Sequence, residues 1–355
     1  MRRGFIAWSK IELPEAVFEA RLNRVRAAMA RQELDALVLY TNNTRTAAVS
    51  WLTAFVPYWA EGLLVVPRQG EPLLAMAFSN RVVGWGKSVS RVARFEGFPR
   101  VGMAAGKYLA EQKAQRVGVV DFDGLRQAVA ADLAAAAPAA SLSDASALFE
   151  EARAKADAAE IALAVHAGII AQQALARITP EMKLGAAIAT AEEAARLAGA
   201  EEVYMAAAPD LAHAPRFRRI EGEAEADASF AIRMTLAYKG SWVRMTRTLF
   251  RDGDAAGVIE RAGERFAAAI AALPQASGFA GFRSWLIEGC RLAQPLDPLS
   301  GSLVSEGKTP APGSLATAQA MIEIEGQNVA LAAPILLGDA SSPAGFLVPP
   351  IFVQR

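Results

Sequence analysis

The chain is 355 residues long, 53% hydrophobic and 21% charged, which allows two globular domains with sizeable cores. Lysine plus arginine and aspartate plus glutamate both total 37, so no net charge draws the chain to nucleic acid or to an anionic membrane. A lone cysteine, Cys290, excludes an intrachain disulfide and, with no secretory pattern after MRRGFIAW, gives the expectation of a cytoplasmic protein.

Phe18, Leu22, Val25 and Met29 repeat at helical spacing and predict an amphipathic helix over 15–32. Apolar runs at 36–40, 62–66, 72–78 and 117–122 predict buried strands, with the turn sequence PRQGEP between the second and third. GLRQAVAADLAAAA continues as a helix. The alanine-rich stretch 128–140 is too short to cross a bilayer and contains Asp132, so no membrane role is expected. Helix and strand alternate, which makes residues 1–150 a small α/β domain.

The pattern changes near residue 150. FEEARAKADAAEIALAVHAGIIAQQALARIT predicts one long helix with an acidic start, suited to the positive end of the helix dipole. A second helix over 183–198 stops at Gly199, and helices are also expected over 254–273 and 282–293. A loop rich in Pro, Gly and Ser covers 294–314, and MIEIE (321–325) reads as a strand. Residues 151–355 are therefore expected to pack helices on an antiparallel sheet.

Between these helices lies IRMTLAYKGSWVRMTRT, residues 232–248, read as a hairpin turning at Lys239-Gly240. That turn pairs Tyr238 with Ser241, Arg233 with Thr246, and Thr235 with Arg244. Alternation puts Phe230, Ile232, Met234, Leu236, Val243, Met245 and Leu249 on one face, and Arg233, Thr235, Trp242, Arg244 and Thr246 on the other. Arg233 and Arg244 become diagonal neighbours, roughly 7–8 Å apart at Cα. Arg247 points to the apolar side and is expected near the sheet edge. The plain explanation is a solvated basic face; the order of the surrounding elements supplies a second one.

KADAAEIALAVHAGIIAQQALARITPEMKLGAAIATAEEAARLAGA, YKGSWVRMTRT and MIEIEG, in that order, resemble the creatinase / aminopeptidase P / methionine aminopeptidase family, whose fold is called pita-bread. RLNRVRAAMARQELDALVLYTNNTRTAAVSWLTAF resembles the accessory domain of creatinase and prolidase relatives. The resemblance implies an α+β chain: a pita-bread domain at 151–355 preceded by a smaller creatinase N-terminal-like α/β domain at 1–150. It also implies two divalent metals held by two Asp, one His and two Glu, with the Asp pair eleven residues apart on this hairpin. Those positions are Arg233 and Arg244 here, and no His follows His213. Guanidinium stays protonated and repels a cation, so no metal and no cofactor are expected. Glu323 and Glu325 are the expected partners of the arginines.

The remaining chemistry is sparse. The resemblance implies a substrate-contacting His upstream of the first Asp position, and His213 fits it; in creatinase that His is the proton shuttle of a metal-free C–N cleavage. His213 is thus a candidate shuttle, set against a loop histidine without a role. Glu323 or Glu325 is the candidate carboxylate acid or base, set against simple neutralisation of an arginine. His166 and Cys290 read as structural. Tyr58 and Trp59 fall where the resemblance places a loop that reaches a neighbouring active site in creatinase-like dimers, though a packed loop explains them equally. No phosphate-binding glycine loop, zinc motif or Gly-x-Ser-x-Gly elbow is present.

Three functions follow. The first is a metal-independent, creatinase-like hydrolase or lyase, with Arg233 and Arg244 holding the carboxylate of a small C–N substrate. The second is a catalytically inactive relative that binds a small ligand or partners an active homologue. The third is a bare structural role. A homodimer is the expected assembly, a hetero-oligomer the alternative. The substrate is not legible.

Overall fold

The structure is a computed structural model that describes residues 9–57, 59–91, 94–252, 256–273, 281–289, 311–339 and 341–352. The described chain divides into two compact units, one ending at Arg153 and the other starting at Ala154.

The first unit runs α1 (Glu15–Arg31), β1 (Ala36–Thr41), α2 (Ala47–Thr53), β2 (Gly62–Pro67), β3 (Leu73–Met76), α3 (Val83–Ser88), β4 (Arg94–Gly97), α4 (Val101–Glu111), β5 (Arg116–Val120), α5 (Gln127–Ala136), β6 (Ser141–Asp144) and α6 (Ser146–Arg153). Its strands form one sheet in the order β4-β3-β2-β1-β5-β6. β1 and β2 are buried at every position, which is why they read as unbroken apolar runs. One face packs Val25, Met29, Trp51 and Phe149; the other packs Tyr108, Leu109, Val129 and Leu133. Gly102 lets α4 approach α5 closely, since a Cβ there would sit 2.4 Å from the Val129 carbonyl oxygen.

The second unit runs α7 (Ala158–Ala176), α8 (Leu184–Leu197), β7 (Glu202–Ala208), β8 (Ser229–Tyr238), β9 (Ser241–Phe250), α9 (Ala256–Ala271), β10 (Phe282–Gly289), β11 (Leu315–Ile324), β12 (Gln327–Leu336) and β13 (Gly345–Phe346). The sheet order is β10-β11-β12-β9-β8-β7, with β13 on β12. α7 and α8 cover Phe230, Ile232, Met234, Leu236, Val243, Met245 and Leu249, the apolar face expected of the hairpin. α9 covers the corresponding face of β10 to β12 through Ile259, Phe266 and Ile270. By length and composition α7 is apolar enough to cross a membrane, yet half of that window is buried inside the protein.

Three local expectations change. The long helix is two: α6 ends at Arg153, and Asp157 starts α7 in a capping box, accepting from the Glu160 amide at 2.9 Å while Glu160 accepts from the Asp157 amide at 3.2 Å. The helix expected over 282–293 is, where described, strand β10, because Trp285 and Ile287 pack on α9 at a spacing of two. Arg247 is not at the sheet edge, since β9 lies between β8 and β12. Its buried guanidinium donates from Nη1 to the carbonyls of Leu175 and Ile178 at 2.7 and 2.6 Å. It thereby satisfies backbone acceptors at and just beyond the end of α7.

Candidate functional site

The hairpin register is the one expected: Arg233 faces Thr246 and Thr235 faces Arg244. Lys239 (φ 48°) and Gly240 (φ 77°) both adopt the left-handed turn conformation, which the glycine accommodates without strain. Both turn amides donate to the buried Glu201 carboxylate, at 2.7 Å from Lys239 and 2.6 Å from Gly240. Burial pushes the Glu201 carboxyl up, and these two amides pull it back down.

Pairing across the sheet defines which residues share the arginine face. One row runs Ala206, Arg233, Thr246, Ala332, Gln319, Leu286. The next, one period along, carries Tyr204, Thr235, Arg244, Pro334, Thr317 and Glu288. Arg244 and Glu288 thus lie in one row, three strand spacings or roughly 14 Å apart at the backbone. Their side chains meet over Pro334 and Thr317. Arg244 Nη1 donates to Glu288 Oε2 at 2.7 Å, with side-chain exposures of 0% and 9%. Arg244 Nε donates to Thr235 Oγ1 at 2.9 Å, and Gln319 Nε2 donates to the same Glu288 oxygen at 3.2 Å. Arg233, 2% exposed, lies over the Phe217 ring at 4.8 Å. The arginine face is therefore not a solvated basic surface.

This corrects the expected partners. Glu323 is part-exposed and binds Arg283, with Oε2 accepting from Nε at 2.7 Å and Nη2 at 2.6 Å. Glu325 is a turn residue with φ 51°, paired with Arg261 at 3.0 Å, and not a strand-interior carboxylate. The carboxylate that reaches Arg244 is Glu288. Reading WLIE as strand rather than helix is the signal that places it on this face.

His213 sits in the segment after β7. That segment lies on the arginine side: buried Leu211 joins Ala208, Ala231, Met321 and Ala330 there, and its carbonyl accepts from Asn328 Nδ2 at 2.7 Å. The imidazole turns outward, 82% exposed, with Nδ1 3.0 Å from Asp210 Oδ2. Two backbone amides and the ring hold the Asp210 carboxyl below the usual carboxylate range, the His213 amide first. His213 and the arginines are thus brought to one region, but the ring does not face them. A cavity of about 10 Å³ beside Glu288, lined by Trp242, Thr317 and Pro334, has room on the order of one water. Trp59 belongs to the first unit, half-exposed and stacked on Trp85 at 5.8 Å. Tyr58, Cys290 and residues 294–310 of the expected loop lie outside the described residues.

Residues 21–155 match the Creatinase/Prolidase N-terminal domain family. Residues 21–155 are therefore similar to a creatinase/prolidase N-terminal domain. From 93% to 95% of the chain aligns with solved structures at low identity, which shows the fold. The Xaa-Pro dipeptidase from Bacillus anthracis aligns with a TM-score of 0.68 at 18% identity, over 95% of this chain and 99% of that one. The X-Pro aminopeptidase from Thermotoga maritima gives 0.69 at 15%, over 94% and 99%. The prolidase from Pyrococcus horikoshii gives 0.66 at 16%, over 93% and 98%. Among curated proteins no sequence match is found. The creatinase/prolidase-like fold is thus an N-terminal creatinase-type domain followed by a pita-bread-like α+β domain.

The dinuclear metal centre implied by the resemblance does not fit this face. Its two expected Asp positions carry buried guanidinium groups, which donate hydrogen bonds and ligate no cation. Glu288, the carboxylate that meets Arg244 there among the described residues, is already its ion-pair partner. A divalent ion placed between them would be repelled by fixed positive charge in a poorly screened interior.

Proposed function

We propose that this creatinase/prolidase-like chain is a catalytically inactive relative whose role is carried by binding rather than by turnover. The observation that carries the reading is the buried Arg244–Glu288 pair: that guanidinium is fully enclosed and already neutralised, so Arg244 is not free to hold a substrate carboxylate. The small space beside it supports the same reading. The reading includes a soluble cytoplasmic protein that forms a homodimer or pairs with an active homologue, and native mass spectrometry distinguishes these assemblies.

One observation favours the metal-independent hydrolase reading: Asp210 orients the His213 ring at 3.0 Å, as a carboxylate orients a general base. Its weakness is that the base faces solvent. The deciding experiment incubates the purified chain with Xaa-Pro dipeptides and with small carboxylate-bearing C–N substrates, with added Mn²⁺ and with chelator. No turnover above a protein-free control is expected in any arm. Turnover that scales with protein and disappears in His213→Ala would replace our reading with the hydrolase.

A further inference from the structure

We propose that Asp210, His213 and Asp227 form a binding site for a divalent transition-metal ion, separate from the arginine face. Each offers one donor atom, and the three donors lie within 4.8 Å of one another. A tetrahedral ion bound at about 2.0–2.2 Å asks for donor separations of roughly 3.3–3.6 Å. His213 and Asp210 already meet at 3.0 Å, so the remaining closure is a rotamer adjustment of exposed side chains. One imidazole with two carboxylates suits Zn²⁺, Co²⁺ or Ni²⁺ better than Mg²⁺ or Ca²⁺, which prefer all-oxygen shells.

Two features make this more than a chance meeting of surface acids. The donors come from two backbone segments tied side by side. The Leu211 amide donates to the Ser229 carbonyl at 3.0 Å, and the Asp227 amide donates to the Pro209 carbonyl at 2.9 Å. Loop and strand entry are thereby held in fixed register. The second feature is the charge at Asp227, which no cation faces among the described residues. Two carboxylates converge here, the imidazole is the only basic group paired with Asp210, and Asp227 makes no ion pair among the described residues. A bound cation would remove that repulsion. Asp227 also lines a cleft of about 450 Å³ with Glu181, Glu225 and Asp252, where Lys183 and Arg251 are the cations.

Binding there would clasp the 209–214 segment, whose Leu211 covers the arginine face, to the start of β8. The test uses the untagged full chain, titrated with ZnCl₂ by calorimetry and with Co²⁺ by visible absorption. One saturable equivalent is expected, with ligand-field bands for Co²⁺ that Zn²⁺ displaces and equimolar Mg²⁺ does not. His213→Ala and Asp227→Asn should each weaken Zn²⁺ binding by at least about tenfold, since removing even a supporting partner of a metal ligand costs that much. His166→Ala, which changes the chain's other histidine, should leave binding unchanged. Circular dichroism and Tm in chelator check that each variant folds. The proposal is overturned by absence of saturable binding, by Asp227→Asn binding like wild type, or by loss of binding in His166→Ala.

Discussion

The β8–β9 and β11–β12 hairpins have strands of ten residues and two-residue turns, Lys239-Gly240 and Glu325-Gly326, in which a non-glycine with positive φ precedes glycine. Each lays its apolar face under helices, α7 and α8 for the first and α9 for the second. They differ on the opposite face. The first hairpin presents Arg233, Arg244, Thr235 and Thr246; the second presents Ala330, Ala332, Thr317 and Gln319. The first hairpin has no carboxylate of its own, and the two in its neighbour, Glu323 and Glu325, pair with Arg283 and Arg261. The compensating charge for Arg244 comes from β10, three strands away. The contrast teaches that a buried charge can be met from outside its own hairpin: Arg244 is neutralised by a distant strand, Arg247 by backbone carbonyls.

The largest effect should come from breaking that arch. Arg244→Met or Glu288→Leu alone leaves one buried charge unpaired, and each should cost about 3–5 kcal/mol in urea unfolding. The double variant Arg244→Met/Glu288→Leu removes both charges and should recover most of the loss. A double variant as unstable as the sum of the two singles would show that the pair is not a brace between β9 and β10. A smaller effect is expected at their seam. β9 and β12 pair at Ala332 and Thr246, and beside that pair the Thr248 hydroxyl does the work of a ladder bond. It donates to the Ala330 carbonyl at 2.8 Å and accepts from the Ala330 amide at 2.9 Å. Thr248→Val keeps the shape and strands both groups, so about 1–3 kcal/mol should be lost at unchanged m-value. An unchanged midpoint would mean that backbone pairing alone closes the seam.

The hairpin register and its apolar face were legible because period-two alternation and a Lys-Gly turn are local signals. The creatinase-type start was legible from the resemblance of RLNRVRAAMARQELDALVLYTNNTRTAAVSWLTAF to that accessory domain. What sequence reading missed is non-local. Glu288 lies 44 residues beyond Arg244, and no local signal in WLIEGC links the two. Glu323 and Glu325 looked closer to a site because MIEIE is strand-like, but one faces Arg283 and the other ends the strand. Asp227 meets Asp210 and His213 only through backbone pairing of two segments, which composition does not reveal. The α6–α7 break was readable, since Asp157-x-x-Glu160 is a capping box, but continuous alanine-rich helix propensity masked it.

The smallest expected effect sharpens the contrast at the turns. Glu325 is exposed on its turn, whereas Glu201 is buried beneath Lys239-Gly240, and burial raises its carboxyl above the ordinary value of 4.5. A raised folded-state pKa means that the folded protein holds this proton more tightly than the unfolded chain. The stability it contributes is complete below pH 4.5 and is lost as pH rises through the raised folded value. Glu201→Gln keeps an acceptor for the turn amides and has no proton to lose. The Tm of wild type minus that of Glu201→Gln should therefore fall as pH is raised from below 4.5 to neutrality. A difference that grows with pH would mean that the two turn amides outweigh burial. The carboxylate would then be a net stabiliser of the arginine hairpin in its charged form.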